Sequence, residues 1–215
     1  MRHIMVLNAK GGCGKSTIAT NLAVFFAREG QTTCIADYDT QRSSLDWLAE
    51  RPAELPAISG VAAFDEGIRN VSRNTDILII DAPARVYGTE LNELVRRAET
   101  IIVPVLPSNI DIKACGHFMA DLLEIGKVSR KQARLAVIAN RVRENTLIYE
   151  ELDRYLGHLK VPYLGCLREA QNYVRAYARG MGILELPEYM AWPDWKQWQP
   201  ICDWLDSKRS QPSQP

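Results

Sequence analysis

A glycine-rich segment near the amino terminus constrains the fold of this chain more than any other feature. It runs from Asn8 to Thr17 and reads NAKGGCGKST. The apolar run IMVL precedes it, and the helical pattern IATNLAVFF follows it. Backbone N–H groups in such a turn bind anions, and the positive end of the following helix strengthens that attraction. The order of strand, turn and helix therefore predicts a binding site for phosphate groups.

The residue types in this turn match the needs of a nucleotide. Glycines let the backbone approach phosphate oxygens closely, Lys15 supplies a positive charge to the β- and γ-phosphates, and the Ser16 hydroxyl is a magnesium ligand. A chance glycine- and lysine-rich turn is the alternative, and the flanking strand and helix disfavour it. The predicted nucleotide-binding residues of the turn are Gly11, Gly12, Cys13, Gly14, Lys15, Ser16 and Thr17.

Two residues depart from the usual phosphate-binding loop. Ala9 stands where that loop begins with glycine, and a second lysine, Lys10, follows it. Because Lys15 already occupies the space next to the terminal phosphate, we expect Lys10 to reach a nucleotide held by a second copy of the chain. The alternative is that Lys10 is a solvated surface lysine.

Apolar runs alternate with helical patterns along the chain, which predicts an α/β fold: a doubly wound, mostly parallel sheet with helices on both faces. The predicted strands are Ile4–Asn8, Thr32–Asp37, Ile77–Asp81, Thr100–Val105, Leu135–Asn140 and Pro162–Cys166. The predicted helices are Ser16–Glu29, Ser44–Glu50, Thr89–Arg97, Ile112–Ile125, Leu147–Leu156, Ala170–Arg179 and Asp194–Ser207. In such a sheet the ligand binds at the carboxyl ends of the strands.

Carboxylates follow two of the predicted strands. Asp37 and Asp39 come at the end of the second strand, where carboxylates either hold magnesium through water or orient an attacking water. A turn cap is the alternative for this pair, since aspartate favours such positions. Asp81 ends the apolar run ILII, an arrangement typical of a carboxylate that reaches magnesium.

The segment Lys10–Thr17, KGGCGKST, resembles the deviant phosphate-binding loop of the ParA/MinD ATPases. The resemblance implies ATP and Mg²⁺ as cofactors and a homodimer that encloses two ATP molecules, with Lys10 crossing between subunits. It also implies that Asp39 activates the water and that Asp37 and Asp81 support the metal with Ser16. Thr40 replaces the usual proline after Asp39, which loosens the backbone there.

Further features of the family indicate which residues contact the adenine base and which partners the protein binds. Asn140 is expected to hydrogen-bond the adenine edge, and the loop Gly180–Glu185 to cover the base. The resemblance implies non-specific binding of nucleoid DNA, a small adaptor protein that stimulates slow hydrolysis, and cytoplasmic positioning of a cargo. The opening segment is most similar to ParA homologues associated with carboxysomes, although plasmids and chemoreceptor clusters remain open as cargo. A membrane-cycling MinD-like ATPase, an iron–sulfur reductase using Cys115, and a non-hydrolysing scaffold are the alternatives.

Composition adds bounds to this interpretation. The chain has 215 residues, 26 basic and 26 acidic, so any DNA-binding face must be local. Five widely spaced cysteines predict free thiols rather than disulfides. Because the loop starts within the first ten residues, we expect no signal peptide and no DNA-reading domain ahead of it. We expect one domain, residues 1–207, and a disordered tail, residues 208–215.

The basic clusters and the last predicted helix bear on whether the protein binds DNA or a membrane. Arg168, Arg175 and Arg179 surround one predicted helix and are the expected DNA contacts, because arginines bind the DNA backbone without reading its sequence. Lys127, Arg130, Lys131 and Arg134 form a second basic cluster, and solvated helix faces are the alternative for both. The last predicted helix carries aspartates as well as lysines on its polar face, so we expect it to pack on the core rather than bind membrane.

Overall fold

Seven parallel strands form a single sheet in the computed structural model, which describes residues 1–212. The strands are β1 (Arg2–Val6), β2 (Thr33–Asp37), β3 (Ile58–Ala62), β4 (Ile77–Asp81), β5 (Thr100–Val105), β6 (Arg134–Val142) and β7 (Tyr163–Arg168). Their order across the sheet is β3-β2-β4-β1-β5-β6-β7. The chain builds the β2–β4 side first and then crosses β1 to build the other side. The predicted fold class is thus confirmed.

Helices cover both faces of the sheet. They are α1 (Lys15–Arg28), α2 (Ser43–Ala49), α3 (Ala63–Glu66), α4 (Gly88–Val95), α5 (Asn109–Glu124), α6 (Gly126–Ser129), α7 (Leu147–Gly157), α8 (Gln171–Tyr177) and α9 (Glu188–Asp206). One core cluster lies under α4, α5 and α7, and a second lies under α1, α2, α8 and α9. Apart from Thr100 and Asp81, the residues of β4 and β5 are apolar, as expected for strands with both faces buried.

The edge strand β3 was not predicted. None of the predicted strands covers Ile58–Ala62, which pairs in parallel with β2. Four of its five residues are at least partly exposed, as expected at the edge of a sheet. β3 contains no long apolar run, so the sequence pattern does not indicate a strand at this position.

The end of the chain is more ordered than predicted. Helix α9 begins at Glu188, six residues before its predicted start, and contains Pro193 and Pro200. The prediction of a disordered tail is wrong for its first part, because Lys208–Ser210 form a 3₁₀ helix and Ser210 is fully buried. Arg2 anchors this helix by donating to the Ser210 hydroxyl at 2.8 Å. Residues 213–215 of the predicted tail lie outside the described residues.

The apolar face of α9 lies in the core. Trp198, Ile201 and Leu205 are completely buried there, as the sequence analysis predicts for this helix. These side chains are therefore unavailable to a membrane surface. Within residues 1–212, no helix is long and apolar enough to cross a bilayer.

Candidate nucleotide site

The glycine-rich turn joins β1 to α1 at the centre of the sheet. Gly12 and Gly14 have φ angles of 74° and 89°, in the left-handed region that favours glycine. The Asn140 side chain at the end of β6 donates to the carbonyl of Cys13 at 2.7 Å. A Cβ atom at Gly14 would lie 2.3 Å from the amide nitrogen of Asn140, so this contact requires glycine. The loop is thereby held by a residue far away in sequence.

This contact changes the interpretation of Asn140. Its side chain is expected to hydrogen-bond the adenine edge, whereas the structure places its amide nitrogen on the backbone of the phosphate loop. Asn140 is 6% exposed and faces the same cavity as the loop. Its visible role is to hold the loop, and base recognition by Asn140 stays a prediction.

The two lysines of the loop occupy different positions. Lys15 is 7% exposed, and its ammonium group donates to the Lys10 carbonyl at 3.1 Å. The side chain of Lys10 is 37% exposed and lies 3.5 Å from the Asp111 carboxylate at the start of α5. Asp111 is itself hydrogen-bonded to the Ser108 hydroxyl. Lys15 therefore lies within the loop, while Lys10 lies outside it on a more accessible surface.

Strand register brings the predicted metal-site carboxylates together. Asp37 at the end of β2 is the direct partner of Asp81 at the end of β4. Both Asp37 oxygens accept backbone N–H groups, one from Asp39 at 2.9 Å and the other from Ser44 at 3.0 Å. Asp37 thus caps the turn that follows β2, which is the alternative given for it above, and it also caps the amino terminus of α2. Support of the metal by Asp37 stays a prediction.

Asp81, like Asp37, is almost completely buried. Burial raises its pKa to about 7, while the hydroxyl groups of Ser44 and Ser16 and the charge of Lys15 act in the opposite direction. Its Oδ2 atom accepts a hydrogen bond from Ser44 at 2.5 Å. Its Oδ1 atom is buried and has no hydrogen-bond partner among the described residues.

This unpartnered oxygen fits a hydrated cation. A buried carboxylate oxygen without a donor is costly unless a positive charge or a water satisfies it. Mg²⁺ prefers oxygen ligands and keeps several waters, so it needs few protein groups. Ser16 and Asp81 would hold the ion, which supplies positive charge to the phosphates. No cluster of three acidic, cysteine or histidine side chains that would suit another metal occurs within residues 1–212.

Asp39 lies at the edge of the cavity. Its Oδ1 atom accepts the backbone N–H of Gln41 at 3.0 Å, which shapes the turn before α2. The residue is partly exposed, unlike Asp37 and Asp81, and lines the same cavity as Lys15 and Ser16. This position is compatible with the orientation of a water molecule, the role that the resemblance implies.

An open cavity of about 1540 Å³ extends from the phosphate loop across the carboxyl ends of the strands. Beyond Asn140 it is lined by Arg141, Leu167, Tyr173, Val174 and Ala178. The loop Gly180–Glu185, expected to cover the base, does not line it. This loop instead packs on α1 and α2, where Trp47 donates to the Met181 carbonyl at 3.1 Å. Beyond the phosphate loop, the lining therefore comes from the end of β6, from β7, and from α8 with the residue that follows it.

The predicted DNA-contacting arginines have different surroundings. Arg168 makes a two-point contact with the fully buried Asp194, at 2.6 and 3.1 Å. This pair joins β7 to α9, and Asn172 also donates to Asp194 at 2.8 Å. Arg168 therefore has a structural role in this chain. Arg175 and Arg179 are exposed and remain candidates for DNA contact.

Three functional candidates escaped the sequence analysis. Ser44 contacts Asp81, Asp111 contacts Lys10, and Tyr177 donates to the Ser43 carbonyl at 2.6 Å. Each contact joins segments that are distant in sequence, so no local pattern indicates it. A serine at the first turn of a helix after two aspartates is the nearest sequence signal, and it marks only a helix start.

Cys115 bears on the iron–sulfur alternative. It is 2% exposed within the core, and burial raises the pKa of its thiol to about 12. A cluster shared between subunits needs accessible thiolates, which this cysteine does not offer. All five cysteines of the chain are free thiols in the structure.

A phosphate loop at the centre of a parallel sheet, with a buried lysine and an acidic strand end beside it, defines a P-loop nucleotide-binding protein. Comparison with known proteins makes this class more specific. Residues 4–183 match the model of the CobQ/CobB/MinD/ParA nucleotide binding domain, so the chain belongs to that family. It is an ATPase of the ParA/MinD type.

Two curated relatives illustrate this placement. Maintenance of carboxysome distribution protein A of Halothiobacillus neapolitanus is 24% identical over 189 residues, covering 85% of this chain and 87% of that protein. The chromosome-partitioning ATPase Soj of Thermus thermophilus is 27% identical over 189 residues, covering 73% of this chain and 76% of that protein.

Solved structures share the fold. An ATP complex of McdA from Cyanothece superposes with a TM-score of 0.68 at 14% identity, covering 94% of this chain and 96% of that one. The cell division protein MinD from Aquifex aeolicus gives a TM-score of 0.74 at 18% identity, covering 100% of this chain and 99% of that one.

Proposed function

We propose that this chain is a ParA-type switch that pairs with a second copy of itself around two ATP molecules. The ATP-bound dimer binds nucleoid DNA without sequence preference and positions a cargo in the cytoplasm. A small adaptor protein then stimulates slow hydrolysis and releases the dimer. Mg²⁺ accompanies ATP, bound at Ser16 and Asp81.

The position of Lys10 is the single observation that carries the proposal. One lysine, Lys15, already lies buried in the phosphate loop, so a second ammonium is not needed for the chain's own phosphates. Lys10 is held on the accessible side by a single ion pair at 3.5 Å, which costs little to exchange. A facing subunit that presents a terminal phosphate would offer Lys10 a stronger partner.

Exposed arginines support the DNA-binding step. Arg175 is exposed near the end of α8, and Arg179 is exposed two residues after α8 ends. Val174 and Ala178, next to them in sequence, line the nucleotide cavity. A face this close to the nucleotide can respond to whether ATP is bound, which would make DNA binding depend on the nucleotide.

The nature of the cargo rests on the relatives alone. Proteins named for carboxysome distribution and for chromosome partitioning both align over most of this chain. A carboxysome is therefore our first choice of cargo, followed by a plasmid or another large complex.

DNA retention with and without liposomes tests the proposal. The purified protein is passed over immobilised DNA of mixed sequence with ATP, with ADP or without nucleotide. We expect retention only with ATP, and a loss of retention as salt rises. Equal retention in all three conditions contradicts the proposal. ATP-dependent binding to anionic liposomes, with no binding to DNA, favours the MinD-like alternative instead.

A further inference from the structure

A buried serine connects the two carboxylates at the ends of β2 and β4. Ser44 is completely buried in the first turn of α2. Its hydroxyl donates to Asp81 Oδ2 at 2.5 Å, and its backbone N–H donates to Asp37 Oδ2 at 3.0 Å. One residue therefore contacts both aspartates, through different groups.

The hydroxyl contact restricts the Asp81 carboxylate. A hydrogen bond to an ionised oxygen is short and strong, and it fixes the rotation of the carboxyl group. With Oδ2 taken by Ser44, Asp81 presents only Oδ1, which has no hydrogen-bond partner among the described residues. The free oxygen is thus the one left for a cation or its water. Outer contacts of this kind orient a ligand and raise its affinity for a metal.

Ser44 also lies on the segment that carries Asp39. The turn from Asp39 leads directly into α2, where the carbonyl of Asp39 accepts the N–H of Arg42 at 2.9 Å. A shift of α2 would therefore move Asp39 and release Asp81 together. Ser44 can therefore fix the position of Asp39, the predicted water-orienting residue, relative to Asp81, the predicted magnesium ligand.

We propose that Ser44 is a positioning residue that orients Asp81 for Mg²⁺ and couples it to the start of α2. It acts through Asp81 and touches neither the nucleotide nor the reacting atoms. The proposal rests on the use of Mg²⁺ and ATP by this chain, but not on dimerisation, DNA binding or cargo.

The Mg²⁺ dependence of ATP binding tests this role. Ser44→Ala removes the hydroxyl but keeps the backbone N–H that Asp37 accepts, so the cap of α2 stays. We expect the Mg²⁺ concentration for half-maximal ATP binding to rise about tenfold. Binding of ADP without Mg²⁺ should stay unchanged, because no phosphate contact is lost. Ser129→Ala, at an exposed position of α6 away from the nucleotide cavity, is the control and should match the wild type.

Two more variants separate positioning from a general effect on folding. Ser44→Thr keeps a hydroxyl and should restore most of the Mg²⁺ dependence. In a background of Asp81→Asn, Ser44→Ala should cause no further change, because the residue acts only through Asp81. An unaltered Mg²⁺ dependence in Ser44→Ala overturns the proposal. So does an equal loss of Mg²⁺-free ADP binding, or an additive effect in the double variant.

These outcomes differ from those that test the proposed function. A wild-type protein that binds ATP with Mg²⁺ but not DNA contradicts the proposed function and leaves the assignment of Ser44 standing. A protein that binds DNA with ATP, yet has a Ser44→Ala variant of normal Mg²⁺ dependence, contradicts only the assignment of Ser44.

Discussion

The buried ammonium of Lys15 is the feature of the phosphate loop with the largest expected effect. It has no carboxylate within ion-pair distance in the described part of the chain, and it donates to a neutral carbonyl instead. A charge held in this way is available to phosphate oxygens at little cost. Because Lys15 is only 7% exposed, its charge is incompletely compensated until phosphate oxygens contact it.

Replacement of this lysine tests nucleotide binding. We expect Lys15→Ala to weaken ATP binding by about 100-fold or more, because several charge-assisted contacts are lost at once. Titration with a fluorescent ATP analogue measures the affinity. Lys113→Ala, at an exposed position of α5, is the control and should bind as the wild type does. Retention of affinity in Lys15→Ala would show that the loop is not the phosphate site.

Replacement of Asp39 is expected to affect ATP hydrolysis but not ATP binding. Its carboxylate lies at the edge of the cavity and contributes to the turn before α2. We expect Asp39→Ala to bind ATP normally but to release phosphate about 100-fold more slowly, as for loss of a general base or water-orienting group. The protein should then stay in its ATP-bound form on DNA. Phosphate release by Asp46→Ala, an exposed neighbour, should match the wild type; fast turnover by Asp39→Ala would remove its assigned role.

At the level of elements, α2 is joined to the loop that follows α8. Trp47 donates to the Met181 carbonyl, Tyr177 donates to the Ser43 carbonyl, and the guanidinium of Arg51 meets Glu185 at 2.7 Å. The exposed side chains of α8 are thereby connected to the segment that holds Asp39 and Ser44. Any movement of α2 with the nucleotide state would reach the arginines of α8.

The ion pair between Arg51 and Glu185 is the charged contact among these links. Its side chains are 5% and 3% exposed, and Arg51 also donates to the Gly180 carbonyl at 3.0 Å. We expect Arg51→Ala to lower the free energy of unfolding by about 3–5 kcal/mol, because a buried carboxylate is left unpaired. Urea denaturation measures this change. The exposed Arg69→Ala is the control, and a loss below about 1 kcal/mol in Arg51→Ala would contradict the role of the pair.

Arg175, in α8, and Arg179, just after it, test the DNA-binding surface. We expect Arg175→Glu combined with Arg179→Glu to abolish ATP-dependent DNA retention at moderate salt, because two phosphate contacts become repulsive. The control is Arg69→Glu with Arg73→Glu, which changes the net charge equally at exposed positions away from α8. Binding to immobilised DNA over a range of salt concentrations provides the measurement. An unchanged salt dependence in the α8 variant would exclude this helix from the contact.

The elements differ in how well the sequence predicts them. The buried strands β1, β4 and β5 are apolar runs, so their positions follow directly from the sequence. Strand β3 escaped prediction because it is an exposed edge strand containing Ser59 and Gly60. The predicted start of α9 was also wrong. A proline usually interrupts a helix, but α9 continues through Pro193.

At the scale of the whole molecule, the sequence predicts the parts of the site better than their contacts. The glycine turn, Lys15 and Asp81 are local patterns, and strand order then brings them to one edge of the sheet. The bond from Asn140 to Cys13 spans 127 positions, and the pair formed by Arg168 and Asp194 spans 26. Contacts of this kind depend on how distant elements pack, which local periodicity does not encode.

The proposed function depends on the pairing of two chains around ATP. A single subunit leaves Lys10 on an ion pair with Asp111 outside the phosphate loop. The proposed dimer gives that lysine a phosphate of the partner subunit as its ligand. Lys10→Ala should therefore keep ATP binding and lose the dimer, whereas Lys160→Ala, at an exposed position, should keep both.

The molecular mass in solution with a non-hydrolysable ATP analogue tests this claim most directly. Light scattering during size-exclusion chromatography should give twice the mass of one chain for the wild type with the analogue, and a single chain with ADP. Lys10→Ala should remain a single chain with the analogue. A wild type that stays monomeric with the analogue, or a Lys10→Ala variant that dimerises normally, would contradict the account.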